Sequence, residues 1–214
     1  NTNKDAEAGL TSLTMPANDI TLYAIYSKDL TVTYHTYNNQ TTTTKIKLNN
    51  NQTSGTTTLP NISNVTVSGV NYTMRGWSTE TGADATVTAV GTNITVTGNI
   101  NYYASYSGTE TATFYYNSNR TAGSMTASTV TATGTSYINY TGTKTGGTVT
   151  VPSAVTGSVG KYNSSYKGIA SSTSSMSTTS SPTAGNTYYA VYSTSVRIYY
   201  PTSTSAASSY TRYR

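Results

Sequence analysis

His35 is the one imidazole in this chain, and no cysteine accompanies it. A structural or catalytic metal site of the zinc type needs three or four convergent nitrogen, sulfur or carboxylate ligands, so His35 does not head one. It reads as an ordinary strand histidine. Serines are abundant, but a Ser-His-Asp arrangement would have a single possible centre, and no Gly-x-Ser-x-Gly elbow is present. The carboxylates are Asp5, Glu7, Asp19, Asp29, Glu80, Asp84 and Glu110. Glycoside hydrolysis needs two of them across a cleft, whereas Glu80 and Asp84 share one turn-like loop. With threonine or carbonyl oxygens that loop offers ligands a calcium ion accepts. No glycine-rich phosphate loop occurs. The expectation is a chain with no catalytic residue, no cofactor and no dedicated metal site.

Aromatic rings are the other chemistry on offer. Twenty-one tyrosines and the single Trp77 stand in a chain with 9% charged residues. Trp77 has two readings, a core anchor or an exposed platform for a sugar ring; Met74 and Gly76 beside it favour the core. Tyrosine pairs recur at 102–103, 115–116, 188–189 and 199–200. In a strand, neighbours point to opposite faces, so each pair sends one ring in and one out. The outward set is expected to be Tyr102, Tyr115, Tyr188 and Tyr199. Those rings would stack on glycans or on a second chain, or simply pair across strands and stiffen the sheet. Net charge is +5, yet the 12 lysines and arginines never cluster, which argues against a nucleic-acid partner.

These residues sit in a repeated element. The segment Leu22, Tyr23, Ala24, Ile25, Tyr26, Ser27 returns at residues 102–107 and again at 188–193. The spacing is 80 residues from Tyr23 to Tyr103 and 86 from Tyr103 to Tyr189. Repetition at such a period signals a tandem array. The expected signature residues are Tyr23, Ala24 and Tyr26, then Tyr103, Ala104 and Tyr106, then Tyr189, Ala190 and Tyr192. Gly76 and Trp77 mark a central strand in one copy and Gly168 marks it in the next, with Ile169 where Trp77 stands. Residues 1–27 read as the end of a preceding unit, 28–107 and 108–193 as two complete units, and 194–214 as the start of a further unit or a tail.

The expected fold is mostly β, with small β-grasp-like or β-sandwich-like units in a row and incomplete units at both ends. Strands are expected at 20–26, 30–35, 43–48, 72–79, 101–106, 112–116, 136–140, 147–151, 187–192 and 195–200. No helix is clearly written in the sequence, although 119–130 has room for a short one. Residues 202–209 read as flexible. No apolar run reaches the length of a membrane span. Solubility through hydroxyls and amides rather than charge suits a wall or extracellular setting.

Residues 15–24 closely resemble the end of an internalin B-repeat, and 72–79 resemble the aromatic-Gly-Trp segment at the centre of the wider Listeria–Bacteroides repeat family. That family occurs in tandem between the displayed head and the wall anchor of bacterial surface proteins. The resemblance implies a small β-grasp-like fold and an extracellular stalk or adhesin segment. The partners it implies are neighbouring repeats and a host or matrix glycan or protein. Bacterial stalks also lock domains by Lys–Asn bonds beside a buried acid; by that analogy Lys28 or Lys45 with Glu80 is the candidate set. The alternative function is a carbohydrate-binding or fibre-forming module that associates head to tail by strand addition and exposed tyrosines.

Overall fold

The computed structural model describes residues 2–4, 6, 9–118, 127–157, 164–199 and 206–213, with 194–199 and 206–213 as backbone only. It is mostly β, with 53% of the described residues in strands and 4% in helices. The chain divides into two compact units. Unit 1 holds residues 1–66, 72–107 and 138–144; unit 2 holds 67–71, 108–137 and 145–214.

In unit 1, β1 (Ser27–Thr36) is followed by a single 3-10 turn (Tyr37–Asn39) and β2 (Gln40–Asn49). β1 and β2 pair antiparallel along their whole length, Ser27 opposite Asn49 and Thr36 opposite Gln40. Alternation decides which side is wet. Leu30, Val32 and Tyr34 are buried while Thr31, Thr33 and His35 are half-buried. Along the chain follow β3 (Gly55–Thr58), the hairpin of β4 (Val65–Val67) with β5 (Val70–Ser78), whose turn at 67–71 is counted with unit 2, then β6 (Asn93–Val96) and β7 (Ile100–Asn117). Ser68 and Gly69 turn the hairpin with φ of 51° and 80°, the paired positive values that a two-residue turn demands. β3 and β6 form a small separate sheet.

The first part of β7 is the centre of unit 1. Residues 100–103 run parallel to Val32–His35 of β1. Residues 103–107 run antiparallel to β5, with a bulge between Met74 and Gly76. The core gathers behind it: Leu30, Val32, Tyr34, Leu59, Tyr72, Trp77, Tyr102, Ala104 and Tyr106 are buried.

Unit 2 takes the second part of β7 and adds β8 (Ala127–Asn139), β9 (Lys144–Gly146), a one-turn helix α1 (Ser153–Thr156), β10 (Ser165–Ala170), β11 (Thr187–Tyr199) and β12 (Ala206–Tyr213). β11 residues 187–189 run parallel to Thr113–Tyr115. β11 also pairs antiparallel with β10, with a bulge between Tyr166 and Gly168. Its core is Ala112, Phe114, Val149, Val155, Ile169, Ala184 and Tyr188. Glu110 is buried in this unit, and its Oε2 accepts a hydrogen bond from Ser136 Oγ at 2.7 Å.

Several expectations need correction. Residues 20–26 form no strand, although their alternation suits one. A strand needs a neighbour that accepts its backbone groups in a ladder; here Tyr26 O accepts from Asn50 N–H at 2.8 Å, but residues 20–26 pair with no strand. Leu22 and Tyr26 are 59% and 72% exposed, so this copy of the signature is not built like the other two. Residues 127–130 of the suggested helix are strand, paired into the sheet as part of β8; residues 119–126 lie outside those described. Segment 147–151 is irregular: it meets residues 182–184 through an isolated bridge, with Val149 N–H on Pro182 O and Ala184 N–H on Gly147 O. A short helix does form, at α1, with Pro152 as its extended N-cap residue. Residues 206–213 are strand, forming an antiparallel hairpin with β11.

Candidate functional site

The parallel strand pair of each unit carries two ring pairs, one on each face. In unit 1 the inner pair is Tyr34 with Tyr102, centroids 6.3 Å apart and 24° from parallel. The outer pair is His35 with Tyr103, at 4.7 Å and 21°. In unit 2 the inner pair is Phe114 with Tyr188, at 5.5 Å and 23°. The outer pair is Tyr115 with Tyr189, at 5.2 Å and 13°. Parallel pairing produces this directly. Tyr34 sits opposite Tyr102, His35 opposite Tyr103, Phe114 opposite Tyr188 and Tyr115 opposite Tyr189. Residues opposite each other point to the same face, so like meets like.

The outward assignment of Tyr102 and Tyr188 is therefore reversed. Both are buried, at 9% and 6% exposure, and the half-exposed rings are Tyr103 and Tyr189. The cause is the period of two. Tyr102, Ala104 and Tyr106 share the core face, and Tyr103 points away from it. Tyr115 does face outward and is 41% exposed. Tyr199 lies in β11, with its side chain outside the described residues.

The outer site of unit 1 is the richer one. Tyr140 adds a third ring, 4.7 Å from Tyr103 and 5.6 Å from His35. Asn101 Oδ1 lies 3.3 Å from His35 Nε2. Among the described residues the imidazole meets two phenol rings and an amide oxygen. Sequence reasoning did not join His35, Asn101, Tyr103 and Tyr140, because a parallel register and a long-range turn bring them together.

The remaining signature residues do structural work. Ala104 lies opposite Trp77, and Ala190 lies opposite Ile169. A small side chain there leaves room for the large one that follows the bulge glycine. Trp77 is wholly buried, its indole N–H donating to Pro60 O at 2.8 Å, with the Tyr34 ring 5.0 Å away. That geometry removes it as a sugar platform. Tyr106 and Tyr192 are buried with their hydroxyls held by main chain: Tyr37 N–H donates to Tyr106 at 3.4 Å, and Tyr192 donates to Val155 O at 2.9 Å. Burial raises the Tyr106 and Tyr166 hydroxyls above the usual tyrosine value; for Tyr102 burial leads and the nearby Tyr34 adds to it.

The backbone at the bulges is special. Gly76 has φ of 152° and Gly168 has φ of 150°. A Cβ at Gly76 would strike the Thr88 carbonyl oxygen, and one at Gly168 would strike the Thr178 side chain. That close approach lets Trp77 and Thr88 exchange two backbone hydrogen bonds, at 2.9 and 2.8 Å.

Among the described residues no group of three or more His, Cys, Asp or Glu is placed to hold a metal ion. Glu80 and Asp84 are both exposed. Lys28 and Lys45 are exposed too, and Lys45 Nζ lies 3.9 Å from Asp29. Neither meets the buried acid that an amide crosslink requires. Asp5 and Glu7 lie outside the described residues. No helix among the described residues is long and apolar enough to cross a membrane. Comparison with protein-family models, curated proteins and solved structures finds no match.

Proposed function

We propose that this chain is a load-bearing segment of a tandem β-repeat, serving as a non-catalytic extracellular stalk or adhesin of a bacterial surface protein. One observation carries the reading. In both units the opening strand lies parallel to the closing strand, and the closing strand is flanked by an antiparallel strand bulged at a glycine with φ near 150°. The same strand scheme in both units, joined by dissimilar connecting sequence, supports reading each as one repeat. The resemblance of residues 15–24 and 72–79 to a family of wall-protein repeats agrees with it. β-Grasp-like is the fold this resemblance proposes for each unit.

The strand scheme suits tension. Force entering at the start of β1 and leaving after Ser107 pulls two parallel strands from opposite ends. Their hydrogen bonds then lie across the load and must break together, rather than one at a time as in a peeled hairpin. The outer rings strengthen the same pair, since their faces are turned to each other instead of to solvent. A glycan platform would need those faces open.

The test is extension of single molecules held by their ends. The expected trace has two separate ruptures, each releasing roughly 250 Å of chain, from about 3.3 Å per extended residue. A single rupture, or gradual lengthening without peaks, refutes the load-bearing reading. Binding to a glycan array with saturable affinity would favour the carbohydrate-binding alternative instead.

A further inference from the structure

We propose that Tyr115 and Tyr189 form an oxidative crosslinking site, in which a dityrosine bond ties the opening strand of unit 2 to its closing strand. The two phenols face each other at 5.2 Å between centroids and 13° between planes. They are directly opposite in the parallel register. Tyr115 is 41% exposed, so a small oxidant reaches it.

The neighbouring ring pairs single this one out. Phe114 faces Tyr188 and lacks the hydroxyl that yields a phenoxyl radical. Tyr34 and Tyr102 are both buried and their centroids are 6.3 Å apart. In unit 1 the equivalent outer position pairs Tyr103 with His35, and an imidazole does not give a dityrosine. Tyr103 and Tyr140 are close, at 4.7 Å, but are tilted by 43° and both half-buried. The chain has no cysteine, so a covalent staple must use other chemistry. The site goes beyond the stalk reading and does not depend on it.

The chemistry balances with a peroxide as oxidant and a haem peroxidase as catalyst. Each phenol gives up one electron and its hydroxyl proton. The two radicals join through the carbons ortho to their oxygens, forming one carbon–carbon bond. Each of those carbons then passes its hydrogen to the phenolic oxygen, restoring both rings. The protein has lost two hydrogen atoms, and the hydrogen peroxide has become two waters.

The experiment treats the dilute 214-residue chain with hydrogen peroxide and a haem peroxidase. The monomer is then recovered, weighed and mapped by proteolysis. The expected product is a monomer lighter by two hydrogens, blue-fluorescent, with one dominant linked peptide pair joining residues 115 and 189. Tyr115→Phe and Tyr189→Phe each keep the ring stack and should each abolish that pair, while circular dichroism confirms that they fold. An unchanged monomer mass overturns the proposal. So does a dominant link at Tyr103–Tyr140 or elsewhere, or an undiminished yield in both variants. Failure of the stalk reading shows in extension traces of the untreated chain, so the two outcomes stay separate.

Discussion

At the scale of single residues, Trp77 and the buried tyrosines set the stability of their units. Trp77 fills the core of unit 1 and satisfies its one donor on Pro60. Trp77→Ala should cost about 3–5 kcal/mol through lost burial and the cavity left behind. The shift in urea midpoint measures it. The raised hydroxyls of Tyr102, Tyr106 and Tyr166 give a pH dependence whose sign is fixed. Their native values lie above the unfolded value of about 10. The unfolded chain therefore loses these protons first as the pH climbs. Their contribution to stability is complete below about pH 10 and is lost as pH rises from there through the native values. Denaturant midpoints should be flat from neutral pH to about 9 and fall beyond 10. A midpoint that rises in alkali would contradict the burial of these rings.

At the scale of elements, the bulged strand and the closing strand form one device used in each unit. The glycine turns the backbone so that the next side chain, Trp77 or Ile169, enters the core. Opposite it stands the alanine of the repeated signature. Gly76→Ala places a Cβ against the Thr88 carbonyl at a φ that other residues avoid. The strain alone is worth about 1–3 kcal/mol, and the displaced carbonyl adds to it. Gly168→Ala meets the Thr178 Cβ at a somewhat longer distance than Gly76→Ala meets the Thr88 carbonyl oxygen, so it should cost less than Gly76→Ala. Thermal unfolding of the two variants side by side tests that order. The period of two already groups Tyr102 with Ala104 and Tyr106, and so marks Tyr103 as the outward ring. Reading the tyrosine pairs one by one misses this; reading three alternate positions together finds it. The partner of Tyr103 was not legible. Nothing local to His35 says that it lies beside a residue 68 positions later.

At the scale of the molecule, stability rests on packing and backbone ladders rather than on charge. In a chain with 9% charged residues, one ion pair among the described residues is Lys45 with Asp29, whose side chains are 71% and 51% exposed. Exposed pairs of this kind contribute about 0–1 kcal/mol and are screened by salt. Raising sodium chloride from low concentration to about 1 M should therefore move the thermal midpoint by no more than about 4 °C. A larger drop would show that charge matters more than this surface suggests.

The alternation of Leu30, Val32 and Tyr34, the glycine before Trp77 and the recurrence of the tyrosine signature were all determined by sequence alone. Each is a local rule, set by side-chain direction or backbone sterics within a few residues. Only the tertiary structure decided which strands lie parallel, which ring stands opposite each outward tyrosine, and that residues 20–26 go without a ladder. Those outcomes depend on which distant backbone groups find each other, and a strand's own residues do not encode the identity of its neighbour.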